Sequence, residues 1–129
     1  MSATPLFAGT VKQYAASTLS LESLRTTPTK YGTLVAVTSD DVIVPGVTFK
    51  ALDSVSTGTV FFYLYDGSTN YLIHEELVST GGPTAASPLT AEGTYVPDLP
   101  ILVPAGWALR VAFSQNVQMN YATASAGKV

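Results

Sequence analysis

The sequence contains no cysteine. That excludes disulfide staples and thiolate chemistry, and it leaves the redox compartment undetermined. Histidine is nearly absent too: His74 is the only one, so any histidine-based triad would have to be built around it. Charge is scarce. Charged residues make up 12 % of the chain, about half the usual share of roughly 25 %. The net charge of −3 comes from six basic and nine acidic residues, and Lys12, Arg25, Lys30, Lys50, Arg110 and Lys128 stand one at a time. Binding to nucleic acid calls for a basic stripe; without one, no nucleic-acid partner is expected. No apolar run approaches the roughly 18 residues of a spanning helix, so no membrane role is expected. Residues 1–7 lack the basic start and long apolar run of a signal peptide. The expectation is a product of the cytoplasm that is not secreted by the usual route.

What is present is apolar and small. Apolar residues reach 47 % of 129 residues, and much of the remainder is Ser, Thr, Gly and Pro. The length fits one domain, able to bury roughly two-thirds of its unfolded surface without metal or disulfide support. A charge-poor surface rich in Thr and Ser suits repeated contact with other subunits. Thr also favours strands, so a plain β-rich protein would have the same composition.

Residues 58–78 (GTVFFYLYDGSTNYLIHEELV) read most clearly. Val60, Phe62 and Leu64 alternate with Phe61, Tyr63 and Tyr65, the period of a strand. Residues 66–70 form a polar run with glycine where a hairpin loop needs it, and residues 71–78 return. The hairpin is apolar on both sides, so one face is expected in a core and the other against a neighbour.

In chain order, residues 1–6 read as a flexible arm and 7–14 as a first strand. Residues 15–25 are the one segment with a helical alternative, though strand or irregular structure fits them better, and 26–32 read as a loop around Pro28. Residues 33–38 form a short buried strand. The run 42–52 is interrupted by Pro45-Gly46, a turn or bulge signal. Residues 79–92 are the longest irregular stretch, either a surface loop or an arm reaching a partner. Pro97 and Pro100 limit residues 94–103 to an edge strand at most. Pro104-Ala105-Gly106 turns into a half-buried strand at 107–113, with Trp107, Leu109, Val111 and Phe113 on one face and Ala108, Arg110 and Ala112 on the other. Residues 117–123 alternate again, and 124–129 read as a tail. Some eight short strands separated by turn signals predict an all-β, single-domain antiparallel β-sandwich or jelly roll. Residues 1–14 supply its arm and first strand, and residues 15–129 the sandwich.

Candidate chemistry is sparse. His74 and Glu76 lie two apart on one strand face, in position for an acid–base pair or a weak metal site; an exposed polar strand is the better account of them. Asp40-Asp41, with Asp53 or Asp66, lacks the pattern of a calcium loop and fits turn chemistry. There is no G-x-S-x-G, phosphate loop or dinucleotide fingerprint. The expectation is no catalytic, cofactor-binding or metal residues, and no enzymatic activity. Tyr63, Tyr65, Tyr71 and Tyr95 admit three readings: closure of the sandwich, a subunit interface, or a platform for sugar rings. Trp107 is expected as a core anchor.

The order of a strand, the hairpin, a Pro-rich passage and then LPILVPAGWALRVAFSQNVQMNYATA resembles small phage and prophage virion structural proteins, over residues 33–123. Their turn-strand corresponds to residues 102–111 (LVPAGWALRV). The resemblance implies a non-enzymatic part of a tailed-phage particle, foremost a capsid decoration (cement) protein bound to the major capsid protein lattice. A tail, collar or baseplate component, or a glycan-binding module on the virion, are the alternatives. It further implies a homo-oligomer, with a trimer favoured. The contact residues expected on this reading are Phe7, Tyr14, Tyr63, Tyr65, Tyr71, Pro83 and Pro88.

Overall fold

The computed structural model describes residues 10–11, 14–18, 22, 28–36, 39–52, 57–78, 92–115, 117–123 and 127–128. Among these residues the regular structure is all β. The strands are β1 (Thr10–Val11), β2 (Ala15–Thr18), β3 (Gly32–Val35), β4 (Val42–Val44), β5 (Val47–Ala51), β6 (Gly58–Tyr65), β7 (Asn70–Val78), β8 (Glu92–Tyr95), β9 (Ile101–Val103), β10 (Ala108–Phe113), β11 (Met119–Thr123) and β12 (Gly127–Lys128). Every pairing is antiparallel.

Three four-stranded sheets form, in the orders β1-β12-β4-β9, β2-β11-β5-β8 and β3-β10-β6-β7. The first two have one order. The same four chain segments cross both, each giving one strand to each sheet: β1 then β2, β4 then β5, β8 then β9, β11 then β12. They act as one layer of four long strands, each interrupted part-way. Pro45-Gly46 makes one interruption and residues 96–100, with Pro97 and Pro100, make another. A proline in either place supplies no ladder N–H. At a third, the Tyr14 amide donates to Thr123 Oγ1 (2.9 Å) and the Thr123 amide to the Tyr14 carbonyl (2.9 Å). Counted this way the described residues make eight strand rows, four per layer. Every connection passes from one layer to the other except the β6–β7 hairpin.

The core between the layers draws on all three sheets. Val42, Val44, Val47, Phe49, Val60, Phe62, Val103, Leu109, Val111, Phe113, Met119 and Tyr121 are buried together. Phe49 and Phe62 meet across it with ring centroids 6.2 Å apart. Burying each such ring contributes about 1.5–3 kcal/mol. Beneath the rings, the Tyr121 and Thr18 hydroxyls share a buried hydrogen bond of 2.9 Å, and burial pushes the Tyr121 phenol well above its ordinary pKa. The outer face of the hairpin sheet is apolar as well: Phe61, Tyr63 and Ala112 form a second buried cluster with Leu72 against it.

The hairpin, the Pro-Gly interruption and the 107–113 strand take the places read from sequence. Both halves of residues 94–103 are edge strands, as their prolines require: β8 and β9 close the ends of their sheets. The tail reading fails. Gly127–Lys128 pairs with β1 on one side and β4 on the other. Backbone hydrogen bonds make that strand, so no side-chain alternation announces it. Trp107 is not a core anchor either: it is half-buried at the margin of the core, stacked on Tyr71 with centroids 6.1 Å apart. Residues 1–9 and 79–91, which hold the proposed arm and long loop, lie outside the described residues.

Candidate functional site

The side chains singled out for contact disperse over the fold. Tyr63 is fully buried on the outer side of the hairpin sheet and presents no surface to a partner. Tyr65 shares that face but is covered by a cation. Tyr71 does not join them. The loop is shorter than read: Tyr65 pairs with Asn70, which places Tyr71 opposite Leu64 on the other face. A bulge in β7 follows, where Phe62 opposes His74 while Tyr63 opposes Leu72. Tyr14 packs against the main core. Phe7, Pro83 and Pro88 lie outside the described residues.

The most developed polar arrangement on the outer face centres on Arg110. Cross-strand register puts Thr33 on one side of it and Tyr63 on the other, and the flanking rings close over it. Its guanidinium carbon lies 3.4 Å from the Tyr65 ring centroid and 4.0 Å from that of Tyr31. Such cation–π contacts contribute about 0.5–2 kcal/mol each, depending on desolvation. Arg110 Nη1 donates to Asn70 Oδ1 (3.0 Å), the Tyr65 hydroxyl donates to the Gly67 carbonyl (2.8 Å), and Arg110 Nε is buried with no acceptor. Alternation had placed Arg110 on this face. Tyr31, from the segment before β3, was not linked to it, because that neighbour is set by strand pairing alone.

Asp66, beside this group, is committed elsewhere. Its Oδ1 accepts from the Ser68 and Thr69 amides (2.9 and 2.8 Å), and its Oδ2 from the Tyr71 hydroxyl (3.2 Å). The Thr69 and Ser68 amides hold its carboxyl below the ordinary value. Asp41 likewise accepts from the Ala105 amide (2.8 Å). Both are turn residues, and no calcium arrangement connects them.

His74 and Glu76 do meet, Nε2 to Oε1 at 2.9 Å. The His74 ring lies against Tyr95 with centroids 3.7 Å apart and against Phe62 at 5.9 Å. Burial first, then the charges of Glu76 and Asp98, raise the Tyr95 phenol. Among the described residues no group of three or more His, Cys, Asp or Glu side chains gathers as a metal site. A shallow groove of about 770 Å³ crosses the outer face of β2-β11-β5-β8. Ser17, Thr48, Lys50, Glu92, Thr94 and Asn120 are among its lining residues, with Phe49 and Tyr121 buried beneath it.

No protein-family model matches the chain, and no curated protein matches it. Among solved structures, a chain in the acidic stable capsid structure of Helicobacter pylori bacteriophage KHP30 has a TM-score of 0.52 at 15 % identity, covering 90 % of this chain and 86 % of that one. At that identity the likeness is one of fold. A chain of hydroquinone 1,2-dioxygenase PnpCD has a TM-score of 0.19 at 18 % identity, covering 73 % of this chain and 56 % of that one, too low a score to indicate a common fold.

Proposed function

We propose that this chain is a non-enzymatic structural protein of a bacteriophage particle. Its closer assignment is a capsid decoration protein that binds and stabilises the major capsid protein lattice. The observation that carries the reading is the two-layer architecture, similar over most of its length to a chain of a phage capsid structure. The connectivity supports it: eight rows in two four-stranded layers, with one hairpin inside a layer and every other link between layers, is the pattern of a jelly roll, a fold that recurs in viral capsid domains. The sequence resemblance to small virion proteins points the same way, as does the charge-poor surface. On this reading the protein resides in the virion after assembly in the host cytoplasm, with the major capsid protein as its principal partner.

The glycan-binding alternative draws little from the site. Tyr63, Tyr65 and Tyr71 do not form one exposed platform, and the groove across the other layer has no exposed ring. His74 and Glu76 are bonded along one strand, and His74 stacks on Tyr95 of the other layer.

The test is co-expression with the major capsid protein of the same phage genome, followed by electron cryomicroscopy of the particles. Density for this chain at regular positions on the lattice, together with a higher temperature of capsid disruption, is the expected result. Particles that form and withstand heating equally well without it would overturn the decoration assignment.

A further inference from the structure

Among the described residues, Arg110 and Asp98 have no counter-ion. Arg110 is clamped between Tyr31 and Tyr65, yet among the described residues no carboxylate lies within ion-pair reach of it. Of its five N–H donors one is used, by Asn70, and the Nε–H is buried, which leaves the other Nη donors for a partner. Asp66, next in sequence to Tyr65 of the clamp, is held by backbone amides and the Tyr71 hydroxyl. A guanidinium fixed in this way has lost its rotamer freedom before any partner arrives, and its free donors match a carboxylate.

The second charge is Asp98, in the interruption between β8 and β9. It is exposed and accepts no hydrogen bond from a described residue. The chain around it is apolar and equally exposed: Val96 is 69 % accessible, Leu99 80 % and Leu102 49 %. Pro97 and Pro100 restrict the backbone on either side, so the segment is a stiff apolar ridge with an acid at its crest. Exposed leucines clustered with a charge on a sheet edge mark a contact surface more often than a bare one.

We propose that these are the two halves of one contact between copies of this chain: Asp98 of one copy enters the Tyr31–Arg110–Tyr65 clamp of the next, while Leu99 and Val96 cover the tyrosine rings. Charge complementarity selects the second copy as the occupant. The two features lie on different layers and do not pair within a chain, so each copy offers both halves, and the contact closes as a reciprocal pair or a ring or continues as a filament. The inference deepens the virion reading by naming a self-contact, and it is tested separately from capsid binding.

Sedimentation velocity and native mass spectrometry of the full chain, from micromolar to near-millimolar concentration, provide the test. The wild type is expected to self-associate, more weakly as salt rises. Asp98→Arg, at an exposed position that leaves the fold intact, sets like charges together and weakens association by about tenfold or more. The exchanged pair Asp98→Arg with Arg110→Asp recovers it, and Leu99→Ser weakens it with the charges kept. Should Arg110→Asp fail to fold, the two ridge variants decide alone. A wild type that stays monomeric, or one that associates as well with Asp98→Arg, overturns the contact. If such a chain still decorates capsids, the virion reading stands without it.

Discussion

Tyr95 lies flat on His74, with ring centroids 3.7 Å apart and planes within 5° of parallel. The two belong to different layers, Tyr95 to edge strand β8 and His74 to edge strand β7, so the stack closes one side of the sandwich. Phe62 adds a ring from within, its centroid 5.0 Å from Tyr95. Aromatic pairs of this kind contribute about 0.5–1.5 kcal/mol beyond the area they bury. His74→Ala is therefore expected to lower the unfolding free energy by about 1 kcal/mol, and His74→Phe to restore most of it. Urea unfolding of the three chains checks this. If Phe does not rescue, the imidazole acts through its bond to Glu76 instead.

Phe62 is fully buried and touches rings from three strands, whereas Leu77 on the adjacent strand is 69 % accessible. Phe62→Ala removes both transfer energy and packing and is expected to cost about 3–5 kcal/mol. Leu77→Ala is expected to stay within about 0.5 kcal/mol. Thermal unfolding followed by circular dichroism separates the two.

Gly93 faces Phe49 across β8 and β5. A Cβ placed there would sit 2.8 Å from the ring atoms Cε2 and Cζ of Phe49, whose side chain is wedged in the core. Gly93→Ala is expected to destabilise by about 1–3 kcal/mol through overpacking. Gly93→Ala combined with Phe49→Leu should lose less than the sum of the two single changes, which a double-mutant cycle in denaturant would show.

Asp66 is a carboxylate whose folded pKa is lowered, chiefly by the Thr69 amide and then by that of Ser68. The sign follows. The hairpin gains from the ionised form above the ordinary carboxylate value of 3.8, and the gain is lost as pH falls through the lower, folded pKa. The Ser68 and Thr69 amide resonances are expected to move upfield together on acidification, with a midpoint below 3.8. Asp66→Asn should abolish that titration while Gly67, at φ 107°, keeps the turn.

Much of this fold was legible because short-range physics wrote it. Alternation in residues 58–65 and 107–113 marked two central strands. The Pro-Gly pair marked the place where one segment leaves one sheet for another, and the prolines at 97 and 100 confined β8 and β9 to edges. The aspartates at 41 and 66 proved to be turn acceptors, as the absence of a calcium pattern suggested. The aromatic face was misread for an equally physical reason. A loop one residue shorter shifts the register at the start of β7, and with a side-chain period of two such a step moves Tyr71 to the opposite face. Nothing in the residues themselves states how two strands are aligned.

Composition and pattern by themselves determined the class: an all-β chain without thiols, without a basic stripe, and apolar enough to bury both faces of its central hairpin. Those properties follow from residue chemistry and from spacing along one strand, which are local. Tertiary structure alone decided that four segments each cross two sheets in one shared order, that Gly127–Lys128 is a strand, and that Arg110 meets Tyr31 and Tyr65. Each depends on contacts between residues far apart in sequence, formed by backbone hydrogen bonding that is nearly blind to side-chain identity.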